Sequence, residues 1–300
     1  MQRRQFLIGG AALIGGCASR SLADTSSFIA ASDTTTEWRQ YPCAAIYRQG
    51  RFELTFVGAR HDADPEGATQ ALVRSAFAQA APRAVIVEGF ATETGVSPAD
   101  AAEDARQAQS AWARGEAGLA VRLALDGEIP FRGGEPTQRQ VYDALLAQGY
   151  SIDELFGGLV LNATIQSLQA GQLHSGADPR FSNLFDAVQR MIRSEQSLAL
   201  PPDYSAERFY AWYEAAFDAP FQSDPALITR GAPDPSTHVG RMHIAWDGPR
   251  DVNLLRIIRE TLTEHERVLV VYGGSHLTAL EPALAEMLGP PTSLCGSQQR

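Results

Sequence analysis

A chain of 300 residues with 44% hydrophobic content is long enough for one large globular domain with insertions, or for two small ones. Its 25 basic residues, every one an arginine, are outweighed by 35 acidic ones. The formal net charge of -10 argues against nucleic acid as a partner and leaves small-molecule and peptide substrates open.

The first residues read as an export signal occupying 1–17. Met1 to Gln5 is a short cationic stretch, and Phe6 to Gly16 is an apolar run too short for a bilayer span of ~20 residues. Arg3-Arg4-Gln5-Phe6-Leu7 resembles the twin-arginine export motif, and Ile14-Gly15-Gly16-Cys17 resembles a lipobox, which makes Cys17 the candidate for lipidation. The alternative is an ordinary secretory signal with an incidental cysteine. Ala18 after Cys17, in place of Asp, resembles the Gram-negative rule for an outer-membrane destination. The expectation is an exported, periplasmic lipoprotein that touches the membrane through its lipid anchor only. The twin-arginine route carries folded proteins, often with a cofactor inserted, which favours a metal site. Residues 18–40 form a solvated tether, and 41–295 a single domain. Cys43 and Cys295 stand near the two ends of that domain and either form a disulfide or are two unrelated thiols.

Along the domain, Ala44–Tyr47 and Phe52–Gly58 are β-rich runs around Arg48-Gln49-Gly50-Arg51 and predict a hairpin. Asp64-Pro65-Glu66 predicts a helix start, and Ala84–Glu88 a buried strand. Ser97-Pro98-Ala99-Asp100, Thr137-Gln138-Arg139-Gln140 and Ser151-Ile152-Asp153-Glu154 are capping boxes that open helices. Between them lie a helix over Gly115–Leu125 and a short strand over Ile129–Arg132. Residues 151–213 are helical throughout, with Phe209, Tyr210, Trp212 and Tyr213 read as core or lid packing. The Pro-, Gly- and Asp-rich stretch 220–249 reads as a long loop containing His238 and His243. Asp251–Leu262 is an amphipathic helix, Arg267–Tyr272 a buried strand and Leu277–Leu288 a closing helix. Alternating strands and helices imply an α/β fold: a mostly parallel sheet flanked by helices, with the 151–213 insertion covering the sheet's carboxyl edge.

The chemistry gathers where strands end. The four apolar strands run into Gly58-Ala59-Arg60-His61, Glu88-Gly89, Gly133-Gly134-Glu135 and Gly273-Gly274-Ser275-His276. Ligands of open α/β sheets bind at the carboxyl edge. If the strands are parallel neighbours, two imidazoles and two carboxylates meet there. Nitrogen and oxygen donors without thiolate suit zinc, manganese, cobalt or iron(II). A Glu that does not ligate could act as general base. Taken singly, each residue has a plainer reading: His61 as a turn histidine, Glu88 as a helix-start carboxylate, Glu135 as a partner for Arg132 or Arg139.

The two Gly-x-x-His motifs near opposite ends of the domain resemble the TraB/GumN/Tiki family, which is similar to the ChaN-like and erythromycin-esterase-like proteins. The resemblance rests on Phe56–His61, Val85–Glu88, Gly134-Glu135-Pro136, Arg250-Asp251-Val252-Asn253 and Val270–Leu277 and touches both ends of the domain, about half of the mature chain; the stretch 151–249 has no counterpart. It implies a metal-dependent protease-like hydrolase with His61 and His276 as metal ligands, Glu88 as ligand or general base, Glu135 at the site, and Arg250 stabilising developing negative charge. Asp251 could instead be the N-cap of a helix. The esterase and ChaN relatives carry Gly-Glu before the first histidine, where this chain has Ala59-Arg60, while His61-Asp62 resembles the ChaN-like version. ChaN-like resemblance implies a haem- or iron-binding lipoprotein as the alternative to an enzyme; a signal-modulating binding protein with a degenerate site is a third.

Overall fold

The computed structural model describes residues 41–61, 64–91, 97–108, 110–169, 171–195, 197–230 and 236–293. The signal with Cys17, the 18–40 tether, Asp62 and Cys295 lie outside the described residues. In chain order the elements are β1 (Cys43–Gln49), β2 (Phe52–Ala59), α1 (Ala68–Ala80), β3 (Ala84–Ala91), α2 (Pro98–Gln107), α3 (Ala111–Arg114), α4 (Glu116–Asp126), β4 (Phe131–Glu135), α5 (Gln138–Ala147), α6 (Ile152–Gln169), α7 (Phe181–Glu195), α8 (Ala206–Phe217), α9 (His238–His265), β5 (Arg267–Gly273), α10 (Gly274–Leu288) and β6 (Thr292–Ser293).

The sheet order is β4-β3-β5-β2-β1-β6. Strands β4, β3, β5 and β2 are parallel; β1 runs antiparallel beside β2, and β6 pairs antiparallel with β1 and so points the same way as the parallel four. The expected mostly parallel α/β sheet is therefore present. Side chains of a strand alternate between faces, and both faces of this sheet are covered. Ile86, Val270 and Tyr272 pack with Leu254, Ile258, Leu280 and Leu284 of α9 and α10. Val85, Val87, Leu269 and Val271 pack with Val73, Ala76, Ala120 and Val121 of α1 and α4. Burial on both faces is why these strands are continuously apolar in sequence. Cys43 is buried and disulfide-bonded.

Local signals place most boundaries. The capping boxes at Ser97/Asp100 and Thr137/Gln140 are both formed, and Ser151 and Glu154 exchange the same pair of bonds before α6. Three starts differ from expectation. Asp64 does not cap α1; its carboxylate accepts the Glu66 N–H in a preceding turn, and Gly67 is the N-cap. Strand β4 lies two residues later than the apolar run suggests, so Glu135 ends the strand. Helix α10 begins at Gly274, which puts His276 in its first turn.

The insertion is larger than 151–213. Helices α5 to α8 share a second core, in which Val141 and Leu145 of α5 join Leu155, Phe156, Phe185, Phe209 and Tyr213, and α9 adds Val239 and Met242. The aromatic residues of α8 are core, as read from their spacing. The long loop expected over 220–249 is replaced from His238 onward by the first half of α9, a 28-residue helix with Pro249 inside it. Proline in a helix interior costs about 3 kcal/mol. Here the Thr237 cap on Gly240 N–H and the burial of Val239 and Met242 hold the helix on the far side of the break. Arg250 and Asp251 thus lie in mid-helix, and Asp251 is not an N-cap.

This helix sets the site's position. It ends where β5 begins and runs back along the sheet. The segment 251–265 spans about 21 Å at 1.5 Å per residue, close to the roughly 20 Å length of a seven-residue strand. Arg250 and Asp251 therefore stand level with the carboxyl edge, and residues 238–249 carry the helical insertion beyond it.

Candidate functional site

Parallel order brings the ends of β2, β3, β4 and β5 to one edge. The structure unites all five residues singled out there: His61, Glu88, Glu135, Arg250 and His276. Glu88, just past Val87, where the regular pairing of β3 with β4 is interrupted, is fixed by two bonds. Its Oε1 accepts from Arg250 Nη2 at 2.8 Å and its Oε2 from the Gly273 N–H at 2.7 Å. Gly89 then turns with φ of +107°, and a Cβ there would lie 2.2 Å from Trp112 Nε1. The indole instead comes close enough to donate to the Glu88 carbonyl at 2.8 Å. Glycine is required at this turn by both conformation and space.

Arg250 is the hub. Its Nε and Nη2 form a fork on Glu135 at 2.9 and 2.8 Å, Nη2 also reaches Glu88, and Nη1 donates to Asp247 at 3.0 Å. Of its five donors, one Nη1 N–H remains. Glu135 pairs with neither Arg132 nor Arg139, and it also accepts from the Tyr272 hydroxyl at 2.6 Å. Burial pushes the Glu135 carboxyl up, but the Arg250 fork outweighs it and holds the group below its ordinary range. Burial likewise opposes the charge on Arg250, and the Glu135 bond overcomes it, so the guanidinium stays charged.

The two histidines are built alike. His61 Nδ1 bonds Glu116 Oε1 at 2.6 Å, and His276 Nδ1 bonds Asp251 Oδ1 at 2.7 Å. Each carboxylate orients its ring and leaves Nε2 free of that bond. Both rings are held above the ordinary histidine pKa. For His61 the Glu116 bond is the main cause; for His276 burial pulls down and the Asp251 bond outweighs it. The environments differ: the His61 side chain is 69% exposed and that of His276 only 3%. The two rings converge at Gly273. A Cβ on that residue would lie 3.2 Å from Glu88 Oε2, 3.5 Å from His61 Nε2 and 3.6 Å from His276 Cδ2. His61 Nε2 and Glu88 Oε2 are 4.0 Å apart.

Metal fitness follows from these donors. Two imidazoles backed by carboxylates at Nδ1 are the usual dress of metal-ligating histidines, and Oε2 of Glu88 keeps a second lone pair. Two atoms sharing zinc lie roughly 3–4 Å apart, so the His61–Glu88 gap is at the upper limit. Among the described residues no group of three His, Cys, Asp or Glu already stands at metal-ligand spacing. The donors fit a divalent ion in chemistry, and they converge on Gly273.

Glu116, Asp251, Tyr272 and Asp247 are the site residues that sequence reasoning missed or misread. Glu116 follows Gly115 at the start of α4 and reads as an acid favoured by the helix dipole; nothing in its surroundings marks it as a histidine partner 55 residues from His61. Glu116→Gln should lower activity or metal affinity about 10- to 100-fold with little change in thermal stability, read by assay and melting on the same preparation. His238 and His243 lie on α9, where His238 bonds Glu154 of the insertion and not the site.

A cavity of about 660 Å³ opens beside His61, lined by Tyr41, Ala59, Arg60, His61, Gly273, Gly274 and Ser275. No family model, curated protein or solved structure matches this chain.

Proposed function

We propose that the chain is a metal-dependent hydrolase of the cell envelope, acting on a peptide, amide or ester bond of a small-molecule or peptide substrate. The observation that carries this reading is charge. Glu88, Glu116, Glu135 and Asp251, each with a side chain no more than 17% exposed, face one guanidinium and two imidazoles. Even with both rings protonated, negative charge is in excess, and buried charge needs a counter-charge. A divalent cation held by His61, His276 and Glu88 meets that need.

When bound, such an ion supplies Lewis-acid polarisation and a more acidic water. The remaining work belongs to the chain. Glu116 and Asp251 keep each imidazole in one orientation. Arg250 holds Glu88 and Glu135 in place, and its spare Nη1 N–H is available to developing negative charge. Where Glu88 is not itself a ligand, the same lone pair of its Oε2 would instead take a proton from water entering beside His61. The test is cleavage of chromogenic esters and peptides by the purified chain. Turnover is expected to vanish with chelator and return with zinc, manganese, cobalt or iron(II). Turnover that survives exhaustive chelation defeats the metal, and no turnover with any metal defeats the enzyme.

Location is a separate proposal, resting on Arg3-Arg4 and the Cys17 motif. Cys17→Ser should release the protein from the membrane fraction and remove a diacyl or triacyl mass from its amino terminus. Unchanged partitioning, with no lipid mass on the wild type, would reject it.

A further inference from the structure

The chain has a net charge of -10. Among the described residues, the cavity beside His61 is lined by Tyr41, Ala59, Arg60, His61, Gly273, Gly274 and Ser275, with no carboxylate. The acids of the site lie behind the imidazoles, each already bonded to a histidine or to Arg250. What faces the cavity is Arg60, exposed, and the His61 ring, also largely exposed. The Arg60 backbone is pinned, since its carbonyl accepts from Thr69 Oγ1 at 2.8 Å, and its guanidinium makes no ion pair among the described residues. The same wall carries the first residues of α10, a 15-residue helix with no side-chain cap and no acid in its first turn, which adds potential of the same sign.

We infer that this cavity receives the free carboxylate of a substrate whose scissile bond lies at His61, with Arg60 as the specificity-determining counter-charge. Arg60 and His61 are consecutive and line the same cavity, so the carboxylate paired with Arg60 is assigned to the residue flanking the bond cut. The substrate class is an N-acyl amino acid or the carboxyl-terminal residue of a short peptide. This deepens, and rests on, the hydrolase reading above. In the step itself, water oxygen bonds to the acyl carbon, the C–N bond breaks, and the departing nitrogen takes a proton to leave as the free amino acid.

Hippuryl-alanine and its uncharged carboxamide provide the test, as substrates of the full chain loaded with metal. The wild type should favour the carboxylate by at least about tenfold in kcat/KM. Arg60→Glu should abolish or invert that ratio, whereas Arg83→Glu, at the opposite edge of the sheet, should preserve it. Equal cleavage of both substrates, with a ratio indifferent to Arg60→Glu, would overturn the inference and leave the hydrolase reading standing. Cleavage of neither would count against the hydrolase reading, and binding then decides the pocket. N-acetylalanine should perturb the protein's NMR spectrum in the wild type and not in Arg60→Glu, while N-acetylalaninamide should perturb neither. An absence of binding up to about 10 mM, the range of weak ligands, would overturn the inference independently.

Discussion

Arg250→Met is expected to be the most destabilising single change in the domain, at about 3–5 kcal/mol. The substitution keeps much of the apolar stem and removes the charge. Glu88 and Glu135, with side chains 17% and 15% exposed, would then face each other without their shared partner. Buried carboxylates left in that state either protonate or pull the surrounding strands apart. Chemical denaturation should show the loss directly. The double variant Arg250→Met/Glu135→Gln should recover part of it, because one of the stranded charges is gone. A single variant within about 0.5 kcal/mol of wild type would mean that the Arg250 hub is not formed in solution.

The histidine variants are expected to be equal in catalysis and unequal in stability. His61→Ala and His276→Ala should each lower kcat/KM by about 10²–10⁴-fold, the range for loss of a group acting on the reacting atoms. Removing His61, largely exposed, leaves no buried cavity but takes the partner from Glu116, whose side chain is 9% exposed, and should cost about 1 kcal/mol. Removing His276 leaves a buried cavity and deprives Asp251, whose side chain is 5% exposed, of its partner. That should cost about 3 kcal/mol. Thermal melts beside the activity assay read both effects. Comparable melts for the two variants would contradict the difference in burial, and a fully active variant of either kind would remove that histidine from the reaction.

The sequence was informative where one physical rule governed one stretch. Continuous apolar runs such as Arg267–Tyr272 can be strands only when both faces are covered, and each delivered a Glu or His at its end. Parallel order then brought His61 and His276 to one sheet edge, both beside Gly273. Capping boxes were legible because donor and acceptor sit three residues apart. The reading failed where tertiary contacts outweighed local preference. Pro249 and its glycine- and proline-rich surroundings resemble a loop, yet burial of Val239 in one core and of Leu254 in another keeps α9 helical through it. Carboxylate partners were invisible for the same reason. The bond from Glu116 to His61 joins α4 to the end of β2, and no local pattern records that approach.

The site's central claim is one shared divalent ion between His61, His276 and Glu88. The most direct measurement is elemental analysis of the full chain purified without chelator and without a metal-affinity column. About one equivalent of a single transition metal per chain is the predicted result, falling to background in both His61→Ala and His276→Ala. Wild-type protein with metal at background, hydrolysing substrate at the same rate before and after chelation, would contradict it.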